Sequence, residues 1–240
     1  MSIFPEHIFC SASTVSDGNM SFRFGNSVQT AESRRQFLLK NCIDFKQHIA
    51  MKCDHSQIIT TVTKNTPERG AETQKQMLSS EVLVTQEKGL ALVLLTADCL
   101  PVSFYDPITQ TIALAHFSRQ TIAQELPKKT IVYLKETHQV HPSDLLIYVG
   151  PHISTASYHF SSPLPSVAPA IAPHITETDN QAHINLVAAL RTQLGPFTIS
   201  EKNINISEID TATSPDYFSY FQSKKENTPD GRFATVLMMR

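Results

Sequence analysis

The sequence predicts an α+β fold of layered, mixed β-sheets with interspersed helices, and three observations carry that expectation. Short apolar, strand-like runs outnumber helical stretches, helical periodicity returns only between them, and no separable linker divides the chain. The expected organisation is therefore a single domain over residues 1–240. That length is ample for a sizeable core, and 41% hydrophobic with 18% charged residues is ordinary globular composition. No internal repeat is evident.

The chain is organised around Leu90-Ala-Leu-Val-Leu-Leu95, a short uninterrupted apolar run that reads as a strand buried on both faces. Asp98 and Cys99 fall where that strand leaves the core, and Pro101 keeps the turn from continuing as a helix. The chain then runs out through residues 102–105, turns at Asp106-Pro107 and returns along residues 111–115, placing His116 at the end of a second apolar strand. A thiol and an imidazole thus finish two neighbouring strands. Strand ends are rigid, so ligands there need no loop ordering. Cys with His suits zinc and also copper. The ordinary alternative is a buried Cys acting as a small hydrophobe and a hydrogen-bonded His. A metal needs a third ligand, for which His55 is the best upstream candidate.

The remaining elements follow in order. Residues 8–25 read as a hairpin about Asp17-Gly18. Residues 31–41 form a short amphipathic helix with a basic exposed side carrying Arg34. Residues 49–53 and 58–62 look like strands flanking His55, whereas 63–80 is polar and reads as a mobile surface loop, of the kind that often closes over a site. Residues 82–85 resume a strand. Pro127 suits the first turn of a helix reaching about Glu136 with Ile131 and Leu134 inward, and residues 145–149 form a buried strand ending at Gly150-Pro151, where glycine permits a close approach. Pro163, Pro165, Pro169 and Pro173 make 161–173 a stiff connecting loop. A helix over 185–194 closed by Gly195 and strands over 203–209 and 233–239 complete the chain.

Thr96-Ala-Asp-Cys-Leu-Pro101, His116 after an apolar strand, and Gly150-Pro-His-Ile153 with Tyr158 behind it resemble the laccase-like (YfiH, DUF152) family of purine nucleoside phosphorylases, also labelled polyphenol oxidases. The likeness keeps register over nearly the whole chain. Cys53-Asp-His-Ser56 falls where the family carries Gln-Val-His-Gly, Glu81-Val-Leu-Val-Thr85 on its Asp-Ala-Leu-Val-Thr, and Tyr217-Phe-Ser-Tyr220 with Gly231-Arg-Phe-Ala234 on its C-terminal elements. The resemblance implies a zinc site of His55, Cys99 and His116 with one open position, and phosphorolysis of purine nucleosides. It also implies Arg34, or Arg119 in place of an absent family arginine, as phosphate or substrate contacts, and associates the family with adenosine deamination. Asp98 is expected to orient a ligand histidine, act as an acid, or merely cap the turn. His152 is expected to be structural or to support a ligand from behind, not to be a ligand itself.

The chain also departs from the family. After the second histidine, Ala-Gly-Trp-Arg-Gly is replaced by Phe117-Ser-Arg-Gln-Thr121; the late Cys-Thr is Asp210-Thr211, and a pair of arginines is Phe221-Gln222. Two rivals to the zinc enzyme therefore stand beside it: a cysteine hydrolase with Cys99 as nucleophile and His116 as base, and a non-catalytic relative that binds a purine or a partner.

The net charge of -2, without a Lys/Arg cluster, argues against a nucleic-acid surface. No apolar run approaches the roughly 18 residues of a membrane span, and the N-terminal residues lack a secretory pattern. Four Cys, at 10, 42, 53 and 99, show no disulfide-like pairing, so a reduced, cytoplasmic setting is expected. Cys53, two places before His55, is a further soft ligand only if that segment is extended, so that alternation sets both on one face, and otherwise reads as a buried structural thiol. Oligomeric state is not legible.

Overall fold

A computed structural model of the chain describes every residue except Met1, Ser2, Ala71, Pro163 and Pro165. The strands are β1 (Ile8–Ala12), β2 (His48–Lys52), β3 (Ile59–Thr61), β4 (Leu78–Ser79), β5 (Val82–Thr85), β6 (Ala91–Thr96), β7 (Leu100–Asp106), β8 (Thr111–Phe117), β9 (Leu146–Val149), β10 (His159–Ser161), β11 (Ile175–Thr178), β12 (Gln181–Ile184), β13 (Ile204–Ile206) and β14 (Phe233–Met239). The helices are α1 (Ser27–Lys40), α2 (Arg119–Ala123), α3 (Leu126–His138), α4 (Leu186–Leu194) and α5 (Tyr220–Glu226). They build a mixed five-stranded sheet ordered β1-β14-β6-β2-β4, a mixed six-stranded sheet ordered β13-β9-β7-β8-β5-β3, and a small sheet of β10, β12 and β11.

Side-chain alternation stacks these elements in four layers. Ala91 and Val93 of β6 pack with Phe37 and Leu38 of α1, whereas Leu92 and Leu94 pack with Leu83, Ile112 and Leu114 of the six-stranded sheet. That sheet turns its other face, including Val82, Val84, Ala113 and Ala115, towards Ile131 and Leu134 of α3 and Leu190 of α4. Both faces of β6 and β8 are covered, which is why their sequences are continuously apolar rather than alternating. Truncating Leu94, fully buried between the sheets, would cost about 2–5 kcal/mol.

The α+β expectation holds, with local corrections. Residues 8–25 form no hairpin: β1 pairs antiparallel with β14, and Val15–Asp17 is one turn of 3-10 helix. The Asp17-Gly18 turn signal is answered by a long-range partner that no local pattern encodes. Helix α1 begins earlier than expected, at the Asn26 cap, whose side chain accepts from Val28 N and Gln29 N at 2.9 and 3.2 Å. Its Arg34 is buried, not on an exposed basic side. β6 and β8 lie in facing sheets, not side by side in one. Within 63–80 there are a 3-10 turn, Gln74–Gln76, and the strand β4, which pairs with β2. α2, α5 and the three-stranded sheet escaped the sequence reading. Gly150 makes the expected close approach, since a Cβ there would stand 3.0 Å from Pro101 Cγ. Gly195 keeps a right-handed helical φ of -50°, and the left-handed residue is Thr198. Pro163 and Pro165 lie outside the described residues.

Candidate metal centre

Strands of both sheets run out at one end of the sandwich, and their inward-facing rows end in polar groups. Ile49 and Met51 of β2 face the other sheet, and Cys53 continues their row; Glu81 precedes Leu83, and His116 follows Ile112 and Leu114. The Cys53 Sγ, a Glu81 carboxylate oxygen and a His116 ring nitrogen lie within 4.8 Å of one another, a cluster that could hold a metal ion.

Glu81 is the hub of this cluster. Fully buried, it accepts the His116 Nδ1 proton at 2.7 Å on one oxygen, and on the other accepts from the backbone N of Asp54 and Ser56 at 2.8 and 3.2 Å. Those two amides bracket His55, which sits in the left-handed region at φ 63°, where non-glycine residues are uncommon. Nδ1 of His55 is hydrogen-bonded to Ser118 Oγ at 3.1 Å, and the same oxygen caps α2 by accepting from Thr121 N. The two imidazoles face each other with centroids 5.5 Å apart. Since Nδ1 is engaged on both rings, each presents Nε2. The Cys53 sulfur lies within 4.8 Å of a His116 ring nitrogen, and Cys99 lines the same cavity.

Electrostatics follow from burial. Desolvation pushes the Cys53 thiol up, against the pull of His116. Desolvation also opposes charge on His116, but the sulfurs of Cys53 and Cys99 outweigh it and hold the imidazole well above its ordinary value. The contact that makes a charged His116 tolerable is the carboxylate of Glu81 at 2.7 Å. His55 is lowered, by burial first and by neighbouring His116 second.

The cluster opens into a cavity of about 640 Å³ whose wall includes Arg23, Arg34, Arg119, Arg232, Phe22, Phe24, Tyr158, Tyr220 and Thr96. His55, Cys99, His116, Arg34 and Arg119 all line it. Only His116 of the three expected ligands belongs to the tightest cluster among the described residues. Arg34 is 5% exposed and already committed: Nε donates to Met20 O at 2.7 Å, a second nitrogen to Gly70 O, and the guanidinium covers the Phe22 ring. Burial lowers it to about 9, so it stays cationic at neutral pH with no carboxylate beside it. The Arg119 guanidinium lies over Phe160. The Asp98 oxygens accept from Thr211 Oγ1 at 2.8 Å and Phe221 N at 2.6 Å. The histidine-orienting role expected of Asp98 is occupied by Glu81. His152 Nδ1 is hydrogen-bonded to Gly150 O at 2.8 Å.

Sequence reasoning missed Glu81 and Ser118, and for Cys53 preferred a structural thiol to the soft ligand it also weighed. The signal was present for the first and last: extending the period-2 rows of β2, β5 and β8 by one step points Cys53, Glu81 and His116 into one space. Ser118 carries no such signal.

The family described as multi-copper polyphenol oxidoreductase laccase matches residues 6–240. The purine nucleoside phosphorylase YlmD of Bacillus subtilis is 23% identical over 192 residues, covering 78% of this chain and 68% of that protein. Its counterpart from Geobacillus stearothermophilus is 24% identical over 230 residues, covering 92% and 83%. The crystal structure of the Geobacillus stearothermophilus YlmD superposes with a TM-score of 0.90 at 22% identity, over 100% of this chain and 94% of that one, which establishes the shared fold.

Proposed function

The chain belongs to the multi-copper polyphenol oxidoreductase laccase family, and from that membership we propose that it is a zinc-dependent purine nucleoside phosphorylase, converting adenosine or inosine and phosphate to free base and ribose 1-phosphate. One observation carries the reading: a soft-ligand cluster opens into a cavity walled by four arginines and four aromatic rings. An anion and a flat heterocycle are the ligands such a wall recognises. The hydroxyl of Thr96, 2% exposed, has no partner among the described residues, which suits a cavity that gains a polar ligand.

In this reading His55, Cys99 and His116 hold the ion, which when bound supplies a Lewis acid and an anion site. The donor set fits, because both rings are oriented by second partners, as metal-binding histidines usually are. Copper suits the same donors. Arg119 and Arg23 attract phosphate, while Arg34 adds uncompensated positive charge from behind the wall. Tyr158, held protonated by burial that pushes its hydroxyl up to about 12, is the group we assign to donate to the departing purine. Asp98 takes no part in proton transfer here. Adenosine deamination at the same site is the accompanying activity.

The test is base release from adenosine and inosine with and without inorganic phosphate. Ribose 1-phosphate formed only with phosphate supports the reading, and base release indifferent to phosphate refutes it. A second reading rests on Cys99–His116–Glu81, which has the nucleophile, base and orienter of a cysteine hydrolase. Fast alkylation of Cys99 in a protein that takes up no zinc would favour it.

A further inference from the structure

We propose that Cys53 is a fourth protein ligand, so that the ion is held by Cys53, His55, Cys99 and His116. The proposal rests on the metal-enzyme reading above and changes what that site is. The tightest cluster contains Cys53, not Cys99, beside His116. Its third member, Glu81, has both oxygens occupied by three N–H donors, so it stands behind the histidine instead of on the ion. Removing it leaves Cys53 and His116 of that cluster, to which the reading above adds His55 and Cys99 from the same cavity wall. The Cys53 sulfur already stands within 4.8 Å of a His116 ring nitrogen, near enough for one cation to take both. A tetrahedral zinc with Zn–S of about 2.3 Å and Zn–N of about 2.0 Å holds its sulfur and nitrogen about 3.5 Å apart, a small contraction of the observed cluster. At the family's corresponding place the resemblance puts glutamine, whose amide is a poor ligand for zinc beside a thiolate.

The chemical consequence is specific. Three protein ligands leave zinc one position for water or an anion, whereas four close it. On binding, Cys53 and Cys99 each release a proton to solvent, and two thiolates neutralise the dication. An ion so held is bound tightly but attracts phosphate weakly. Cys53 must step off, or the coordination expand, before an anion binds. Cys53 is then a built-in brake on the metal, and replacing it should weaken metal binding while exposing the ion to phosphate.

The test loads wild type, C53A, C53Q and C99A with cobalt(II) and reads thiolate-to-cobalt charge-transfer absorption, together with zinc affinity by chelator competition. Wild type should show the intensity of two thiolates, falling to about half in each alanine variant. Zinc affinity in C53A and C53Q should fall by at least about 100-fold, the upper range for losing a mere supporting residue. Inorganic phosphate should perturb the cobalt spectrum of C53Q more than that of wild type. X-ray absorption on the zinc-loaded wild type counts sulfurs without any variant: two support the proposal and one overturns it, as does wild-type absorption and affinity in C53A. If wild type binds neither metal, the metal-enzyme reading itself falls. If one sulfur is found with C99A devoid of metal, that reading stands and only the role of Cys53 is lost.

Discussion

Replacing Glu81 with glutamine changes one atom and should disable His116 as a ligand. The carboxylate accepts the Nδ1 proton at 2.7 Å, so that Nε2 is the nitrogen left to bind an ion once its own proton is displaced. Its other oxygen accepts from Asp54 N and Ser56 N. In E81Q the oxygen stays with those two amides, because the alternative would set an NH₂ group against two N–H donors. The NH₂ then faces Nδ1, which must become an acceptor, and the ring proton moves to Nε2. Restoring the ligating tautomer costs a charge-assisted hydrogen bond, about 1.5–3 kcal/mol, or roughly 10- to 150-fold in metal affinity at about 1.4 kcal/mol per decade. Chelator competition measures that loss, and urea unfolding of the metal-free protein serves as control. E81A should add to it about 1–3 kcal/mol of instability for each buried amide left unpaired. Metal affinity in E81Q equal to wild type would refute the orienting role.

Two further outcomes concern the scaffold. His48, 1% exposed with Nδ1 bonded to Phe45 O at 2.8 Å, is lowered by burial to about 4. Its folded value lies below the unfolded one near 6.5, so the unfolded chain binds the extra proton. Stability present above about pH 6.5 is therefore lost as pH falls towards 4, by about 3 kcal/mol at the low end. H48N should flatten that part of the urea-midpoint profile, and an unchanged profile would sink the assignment. Gly70, at φ 71°, has Met77 Cγ 2.6 Å and Ala50 Cβ 2.9 Å from where a Cβ would stand, and its carbonyl holds Arg34. G70A should destabilise by about 2–4 kcal/mol through left-handed strain plus overpacking. A thermal midpoint equal to wild type would contradict that geometry.

The layers were legible because burial on two faces leaves a plain mark, the unbroken apolar runs of β6 and β8. What those runs could not reveal was which sheet each joins, since apolar content is the same for a neighbour as for a facing strand. The pairing of β1 with β14 spans nearly the whole chain and leaves no local trace. Family likeness directed attention to His55, Cys99 and His116. Elementary alternation, followed one residue past the strand ends, would have found Cys53 and Glu81. Arg34 misled for a physical reason: a helical charge reads as solvated unless the carbonyls that receive it, here Met20 and Gly70, can be seen. The partners of Asp98, Thr211 and Phe221, lie more than a hundred residues away and leave no local trace either.

Those same partners bear on whether the departures from the family pattern signal decay. Drift without selection leaves polar groups stranded and voids unfilled. Here Ser118, in the segment that lacks the family's Gly-Trp-Arg-Gly, both caps α2 and holds His55. Asp210 accepts from Ser154 and Ser157 hydroxyls at 2.6 Å each, and Thr211 donates to Asp98. Phe221 gives its amide to Asp98 while its ring meets Tyr158 and Phe160 edge-on, at 6.0 and 5.9 Å. Ser118, Asp210, Thr211 and Phe221 have thus each found a partner of matching chemistry, and a wall rebuilt in this way argues against decay of the cavity.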